Sequence, residues 1–320
     1  RKINEYYDYN LLIIISGCVS EMIGDDIESV INNNKDKEIL YINGAGFLNS
    51  YSKGFEKGLL SLVDLINSPS KTDDKKINII GLENDSYLKS GDILEIKSLI
   101  GDDFDLNFLG SDCSVEDVRN SANARFNLVI DRGISLAEYM KEEFNISYKE
   151  IAYPYGMLGA FRLLEVIEEE FNLDYSFKKE EMKNQVKNQI EKVYGYLQSL
   201  YQMPAAVIAS KNRAKGMKSF LEEELGFEVM NMKIKEDINL LEEFYNEILD
   251  TDVTVLFGSS FDKDFAFNEK IIYMPFDYPV FDRIDLTNKT YIGSNGSLNL
   301  IESLLNQIHV SKRKRGALYQ

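Results

Sequence analysis

Short runs rich in β-branched residues alternate with longer amphipathic stretches along the whole chain, and this alternation restricts the fold more than any other feature. NLLIIIS (10–16), EILYING (38–44), INIIGL (77–82), NLVID (127–131), AAVIAS (205–210) and VTVLFGS (253–259) are apolar almost without interruption. Such runs suit strands covered on both faces, and the segments between them have the length and periodicity of helices. The pattern predicts an α/β protein of three doubly wound, parallel-sheet blocks: 1–70, 71–177, and 178–320, the last led by a charged connector helix over 178–201. The polar, proline-containing stretch SPSKTDDKK (68–76) reads as the linker between the first two. Ser135 is the expected cap of the helix after NLVID, and Gly226 the expected end of the helix KGMKSFLEEELG.

Composition removes several classes of function. The 36 Lys and Arg are outnumbered by 53 Asp and Glu, a net charge of −17, which disfavours nucleic acid as a partner. The basic SKRKR (311–315) reads as a solvated tail. No apolar run approaches the roughly 18 residues that cross a bilayer, and RKINEYYDYN at the start has no signal-peptide core, so a cytoplasmic location without a membrane is expected. Two cysteines make no disulfide framework, and one histidine leaves little for an imidazole site.

In open parallel sheets, ligands sit beyond the carboxyl ends of the strands. The residues placed there are Cys18, Gly44 to Ser50, Gly81 to Asn84, Gly110 to Cys113, Asp131, Ser210 to Asn212 and Gly258 to Ser260. None of these turns carries GxGxxG or GxxxxGK[ST], so a dinucleotide or P-loop site has no support. Cys18, in SGCVSEMIGDDI, ends a strand and opens a helix whose first turns carry Glu21, Asp25 and Asp26. A thiolate is favoured at such a place, yet free cysteines are also among the most buried residues, so metal ligand and core residue both stand. Cys113 and His309 read as structural. The pairs Asp25–Asp26, Asp73–Asp74 and Asp102–Asp103 read as solvated, and Tyr273, Phe276, Tyr278 and Phe281 as a wall between domains.

SGCVSEMIGDDI resembles the cluster-cysteine segment of the nitrogenase component 1 superfamily. NGAGFLNSYSKGF (43–55) and MPFDYPVFDR (274–283) are similar to further segments of that family, the second to its β-type subunits. NLVID, IAYPYGMLGAFRLLEVI and YIGSNGSLNLIESLLNQI follow in the family's order. The resemblance implies three Rossmann-like domains and a β-type subunit, or its paralogue in the cofactor-assembly scaffold. It implies that Cys18 ligates an Fe–S cluster shared with an α-type subunit, that Ser50 joins it on oxidation, and that an ATP-dependent iron protein delivers electrons to a heterotetramer.

Departures from the family pattern limit this. The family's other β-subunit cluster cysteines lie upstream of the Cys18 segment, where this chain has 17 residues and no cysteine. Partner ligands are therefore expected from further upstream, from another subunit, or not at all. An α-type subunit needs a cysteine near NLVID and a histidine near the C-terminus; here Asp131 stands at the first place, and no histidine precedes the last helix. The resemblance thus implies that the substrate-reducing cofactor is held elsewhere. A cofactor-assembly scaffold or a non-catalytic homologue is the alternative.

Overall fold

The computed structural model describes residues 6–34, 38–46, 50–83, 86, 88–237 and 241–314. Its elements follow the alternation read from the sequence. β1 (Leu12–Ser16), α1 (Cys18–Ile23), α2 (Ile27–Asn32), β2 (Ile39–Asn43) and α3 (Tyr51–Leu60) come first. Then come β3 (Asp73–Ile80), α4 (Lys89–Ile100), β4 (Asp105–Leu109), α5 (Val115–Arg119), β5 (Ala124–Ile130), α6 (Ile134–Phe144), β6 (Ser147–Ile151) and α7 (Gly156–Phe171). α8 (Ser176–Ile190) and α9 (Tyr194–Leu197) lead to β7 (Pro204–Ala209), α10 (Lys211–Ser219), β8 (Glu228–Ile234), α11 (Leu241–Leu249), β9 (Val255–Gly258), α12 (Lys263–Asn268), β10 (Ile272–Pro275) and α13 (Gly293–Lys314).

Three sheets result, one per block: β1-β2, β4-β3-β5-β6 and β10-β9-β7-β8. The pairs β1–β2, β3–β5, β7–β8, β7–β9 and β9–β10 are all parallel. The chain divides into two compact units, one of residues 1–81 with 107–148, the other of residues 82–106 with 149–320.

In the first unit, Ile77, Ile79 and Ile80 of β3 and Leu128, Val129 and Ile130 of β5 are sealed from solvent. Leu59 of α3, Leu109, Leu136 and Met140 complete that core. The turn after β3 presses against the turn after β5 and admits no side chain: Gly81 has φ +101°, and a Cβ there would lie 1.9 Å from the Arg132 carbonyl oxygen. Only glycine meets both demands. In the second unit, Ala206, Ile208 and Leu256 of the central strands pack with Phe244 and Ile248 of α11 and Ala266 of α12.

Several boundaries differ from expectation for local reasons. The helix expected to open at Cys18 and carry Glu21, Asp25 and Asp26 breaks into α1 and α2 at Gly24, which turns left-handed at φ 69°, and Asp26 caps the second piece by accepting from Ser29 N–H. The linker read over 68–76 is partly strand, since β3 begins at Asp73. The connector helix stops at Ile190 and continues as short turns and α9. Ser135 does not cap α6; Gly133 precedes that helix, and the Glu56 carboxylate of α3 accepts from Gly133 and Ser135 N–H instead. Gly226 is left-handed, as expected, with φ +69°. Residues 238–240, just before α11, lie outside the described residues.

Candidate functional site

The strand-end residues named from the sequence do fall at strand ends, and three of those ends carry polar constructions. The first is formed by β1 and β2, which run parallel with Ser16 opposite Asn43. Cys18 follows β1 and is exposed. The helix it opens has six residues and a Gly17 cap with no side-chain hydrogen bond, so a helix dipole contributes little there. Among the described residues a backbone donor meets the thiol: Gly46 N–H points at Cys18 Sγ at 3.2 Å.

Around that contact a polar network ties helix to strands. Glu21, one turn into α1, accepts from the Ser16 hydroxyl and the Tyr41 phenol through Oε1, and from Asn43 Nδ2 at 2.6 Å through Oε2. Tyr41 and Asn43 are two residues apart on β2 and so face the same side of it. Asn43 uses its other amide atom on the loop, where Oδ1 accepts from Ala45 N–H at 3.2 Å. Gly44 N–H donates to the Ser16 carbonyl at 3.2 Å, and a Cβ on Gly44 would press within 2.7 Å of Ile15. The hydroxyls of Ser16 and then Tyr41 hold the Glu21 carboxyl below its ordinary range, and the Glu21 carboxylate pushes the Tyr41 phenol up.

Ser50 stands at the N-terminus of α3, its hydroxyl accepting from Lys53 N–H at 3.5 Å. Residues 47–49, between Gly46 and Ser50, lie outside the described residues. The described contact from this loop to the Cys18 sulfur therefore comes from Gly46, which offers a main-chain N–H and no side chain.

The second strand end is the turn Asp131–Gly133 after β5. Asp131 has φ 81°, its side chain is fully buried, and it pairs with Arg132 at 3.1 Å. Arg132 Nε donates to Ser52 Oγ at 2.8 Å, and its guanidinium lies over the rings of Tyr51 and Phe55. With the Glu56 bonds described above, one face of α3 is clamped onto this turn. Asp131 is thus committed to a buried ion pair.

The third lies in the second unit, where Arg213 of α10 follows the end of β7. Its Nη2 is 3.2 Å from Glu83 Oε2 and its Nε 3.8 Å from Asp277 Oδ1, and its guanidinium lies 4.3 Å above the Tyr153 ring. Lys235 Nζ pairs with Asp277 Oδ2 at 2.6 Å. Beside them Asp92 accepts from Tyr153 at 2.5 Å, Thr290 at 2.6 Å and Tyr291 N–H at 3.2 Å. Burial pushes the Asp92 carboxyl up, opposed by those donors and by Arg213. Arg213, Glu83 and Asp277 are each at most 2% exposed, so this end is filled by balanced charge.

The remaining sequence candidates keep ordinary surroundings. Cys113 is half-buried against the first unit's core, and burial pushes its thiol up. His309 is exposed on α13, and the three aspartate pairs are exposed as well. Phe276 packs edge-on to Phe257 and Tyr155, whereas Phe281 meets Phe261 on the surface. Asn84 lies outside the described residues. Among the described residues no three His, Cys, Asp or Glu side chains gather where they would hold a metal, and no helix is long and apolar enough to cross a membrane.

The network residues Ser16, Tyr41 and Asn43 were not picked out from the sequence. Their only signal is the appearance of polar residues at the carboxyl ends of otherwise apolar strands. Glu83 falls in the strand-end span 81–84 and Asp277 in the segment 274–283, both singled out from the sequence, but nothing local pairs either with Arg213, because the three meet only through the fold.

Comparison with known proteins places these features in a family. The sequence model of the nitrogenase component 1 type oxidoreductases matches residues 1–237. The nitrogenase iron-iron protein beta chain of Rhodobacter capsulatus is 24% identical over 52% of this chain and 42% of its own length. The nitrogenase molybdenum-iron protein beta chain of Clostridium pasteurianum is 20% identical over 96% of this chain and 77% of its own. Among solved structures, nitrogenase Cp1 at pH 6.5 superimposes with a TM-score of 0.80 at 18% identity, covering 98% of this chain and 78% of that one.

Proposed function

We propose, from the premise that the chain belongs to the nitrogenase component 1 type oxidoreductase family, that it is a β-type subunit whose Cys18 helps to hold an Fe–S cluster at the face of an α-type partner. The observation that supports this most is the Cys18 thiol itself. It is exposed at the carboxyl end of a parallel strand and is approached by a main-chain N–H donor. Thiolates are the ligands iron–sulfur clusters select, and N–H donors to the sulfur are among the means by which proteins tune them.

The donor set fits a shared group. One exposed thiol in the first unit is a contribution to a ligand shell that other ligands of the assembly complete. When bound, the cluster supplies one-electron transfer between an ATP-dependent iron protein and an active site on the α-type subunit. This chain's own residues do the holding: Cys18 provides the sulfur, Gly46 N–H faces it, and Glu21 fixes the first turn of α1 to both strands. Ser50 is the occasional further ligand, through its hydroxyl at the start of α3. The filled, charge-balanced end around Arg213 supports placing the substrate-reducing cofactor on the partner, and the buried ion pair of Asp131 supports it too. Dinitrogen, a tetrapyrrole or another small molecule are all open as the substrate.

The second reading is a cofactor-assembly scaffold or a non-catalytic homologue with the same paired architecture, favoured by the scarcity of cysteine. Anaerobic co-expression with the α-type partner separates the two. The first reading predicts an EPR signal from the reduced pair that disappears in Cys18→Ala. An EPR-silent wild-type pair favours the second, and an unchanged signal in Cys18→Ala ends the ligand assignment.

A further inference from the structure

A cleft of 1210 Å³ opens in the second unit, and no member of the Arg213 cluster lines it. Its walls are the end of α11, the turn into β9, α12 with the turn into β10, and the last turns of α13. Sites for small organic molecules span roughly 300–1,000 Å³, so there is ample space for one. Much of the lining is apolar. Leu249, Phe267 and Val310 are exposed along it, Phe267 by 71%, and the half-buried Ile271 and Tyr273 line it too. Large apolar side chains left in water along one cleft make a patch of the kind that ligands cover.

Two cations, Lys270 and Arg283, line the same cleft, and no carboxylate among the described residues pairs with either. Lys270 stands in an unusual place. α12 ends with Ile271 N–H on the Ala266 carbonyl at 2.8 Å and Lys270 N–H on the Phe267 carbonyl at 3.2 Å, the paired bonds of a Schellman ending. That ending holds Lys270 at φ 60°, in the left-handed region where a β-carbon is penalised. α1 closes on Gly24, and α6 and α7 close on Asn145 and Asn172, residue types that enter this region at low cost. At α12 a lysine occupies the glycine place, and what it adds there is a charge on the cleft.

Arg283 is exposed, and the chain leading to it is pinned. Ser260 Oγ accepts from Phe281 N–H at 3.0 Å and donates to Asp282 Oδ1 at 2.7 Å, while Lys263 Nζ pairs with Asp282 Oδ2 at 2.7 Å. Asp282 and Lys263 thus cancel on the lining. Asp252 and Glu269 stand on it as well, so the charges left over are two of each sign, and a polyanion is disfavoured. Neither carboxylate residue is left-handed, so only the cationic side of this balance is kept against a backbone preference.

We propose that this cleft binds a small organic monoanion with a flat apolar body, the body against Phe267 and Tyr273 and the anionic group at Lys270 and Arg283.

Two dyes with one skeleton test it: 1-anilinonaphthalene-8-sulfonate carries an anionic group, and N-phenyl-1-naphthylamine lacks it. Fluorescence titration of the full chain gives a dissociation constant for each. Lys270→Gly combined with Arg283→Gln should weaken the sulfonate about tenfold and leave the neutral dye within about twofold, since only charge contacts are lost. Phe267→Ser should weaken both dyes. Ile15→Ser alters the other exposed apolar face, that of β1, and should leave both constants as they are. Lys270→Gly puts glycine at the left-handed residue and should melt no lower than the parent. It decides alone if Arg283→Gln does not fold, with an expected weakening of the sulfonate of about threefold. Sulfonate binding that is unchanged by the Lys270 and Arg283 substitutions overturns the proposal. So does dye binding that is lost in Ile15→Ser and kept in Phe267→Ser.

Discussion

The first sheet's carboxyl edge and the third sheet's are built from the same topological material, parallel strands feeding helices, and they end in opposite states. At the first, a thiol is exposed, a carboxylate is shared among hydroxyls and an amide, and a glycine loop offers its main chain. At the other, Arg213, Glu83 and Asp277 neutralise one another out of solvent beside Tyr153, and the half-buried Lys235 pairs with Asp277. The same contrast runs through the strands. β1 is LIIIS, as apolar as the central strands, yet Ile13 and Ile15 are 43% and 67% exposed while Ile77 and Ile79 are 0% exposed. Val19, Met22 and Ile23 of α1 are exposed beside Cys18 in sequence. Apolar faces of parallel sheets are ordinarily covered, and exposed apolar patches are where other surfaces dock. The difference teaches that topology supplies a place for chemistry, and that the side chains decide whether the place is kept open or filled.

Breaking the filled end should have the largest consequence. Arg213→Ala leaves two buried carboxylates without their shared cation and is expected to cost about 3–5 kcal/mol in chemical denaturation. A loss below about 1 kcal/mol would mean that the cluster is looser than its distances indicate. A smaller but sharper contrast is expected between strands. Leu128→Ala, at a site 0% exposed, should cost about 2–5 kcal/mol, whereas Ile15→Ala should stay within about 0.5 kcal/mol in the isolated chain. Equal losses would show that the outer face of β1 is covered within the chain.

The mildest effect concerns pH. Because Ser16 and Tyr41 hold the Glu21 carboxyl below its ordinary range, its contribution is present above the unfolded-state value and is lost as pH falls through the folded one. The stability difference between wild type and Glu21→Gln should therefore narrow on acidification, read by melting temperature across an acid series. A difference that is constant with pH would remove the charge from the explanation.

Much of the architecture was legible because hydrophobic runs and their spacing encode it directly. β1, β2, β3, β5, β7 and β9 each lie on one of the six apolar runs, and their strand-end positions follow from strand identity alone. What failed was local. Gly24 and Asp26 split one expected helix, and Glu56, distant in sequence, took over the capping that Ser135 was expected to perform. The site was half legible. Cys18 stood out by residue type, but the bonds that orient it run through Tyr41 and Asn43, residues whose significance depends on strand register. Ser50 caps α3, and it is Gly46, four residues earlier, whose described contact reaches the sulfur. Of the Arg213 cluster, Glu83 stood at a strand end named from the sequence and Asp277 in the segment 274–283, but the pairing was not legible, since its members lie on four separate segments and meet only in the fold.

Iron and acid-labile sulfide per pair, measured after anaerobic co-expression with the α-type partner, test the central claim most directly. Wild type and Cys113→Ala should carry both in the same ratio to protein, because Cys113 packs against the core and holds nothing. Cys18→Ala should lose both. Equal iron and sulfide in all three pairs would contradict the account.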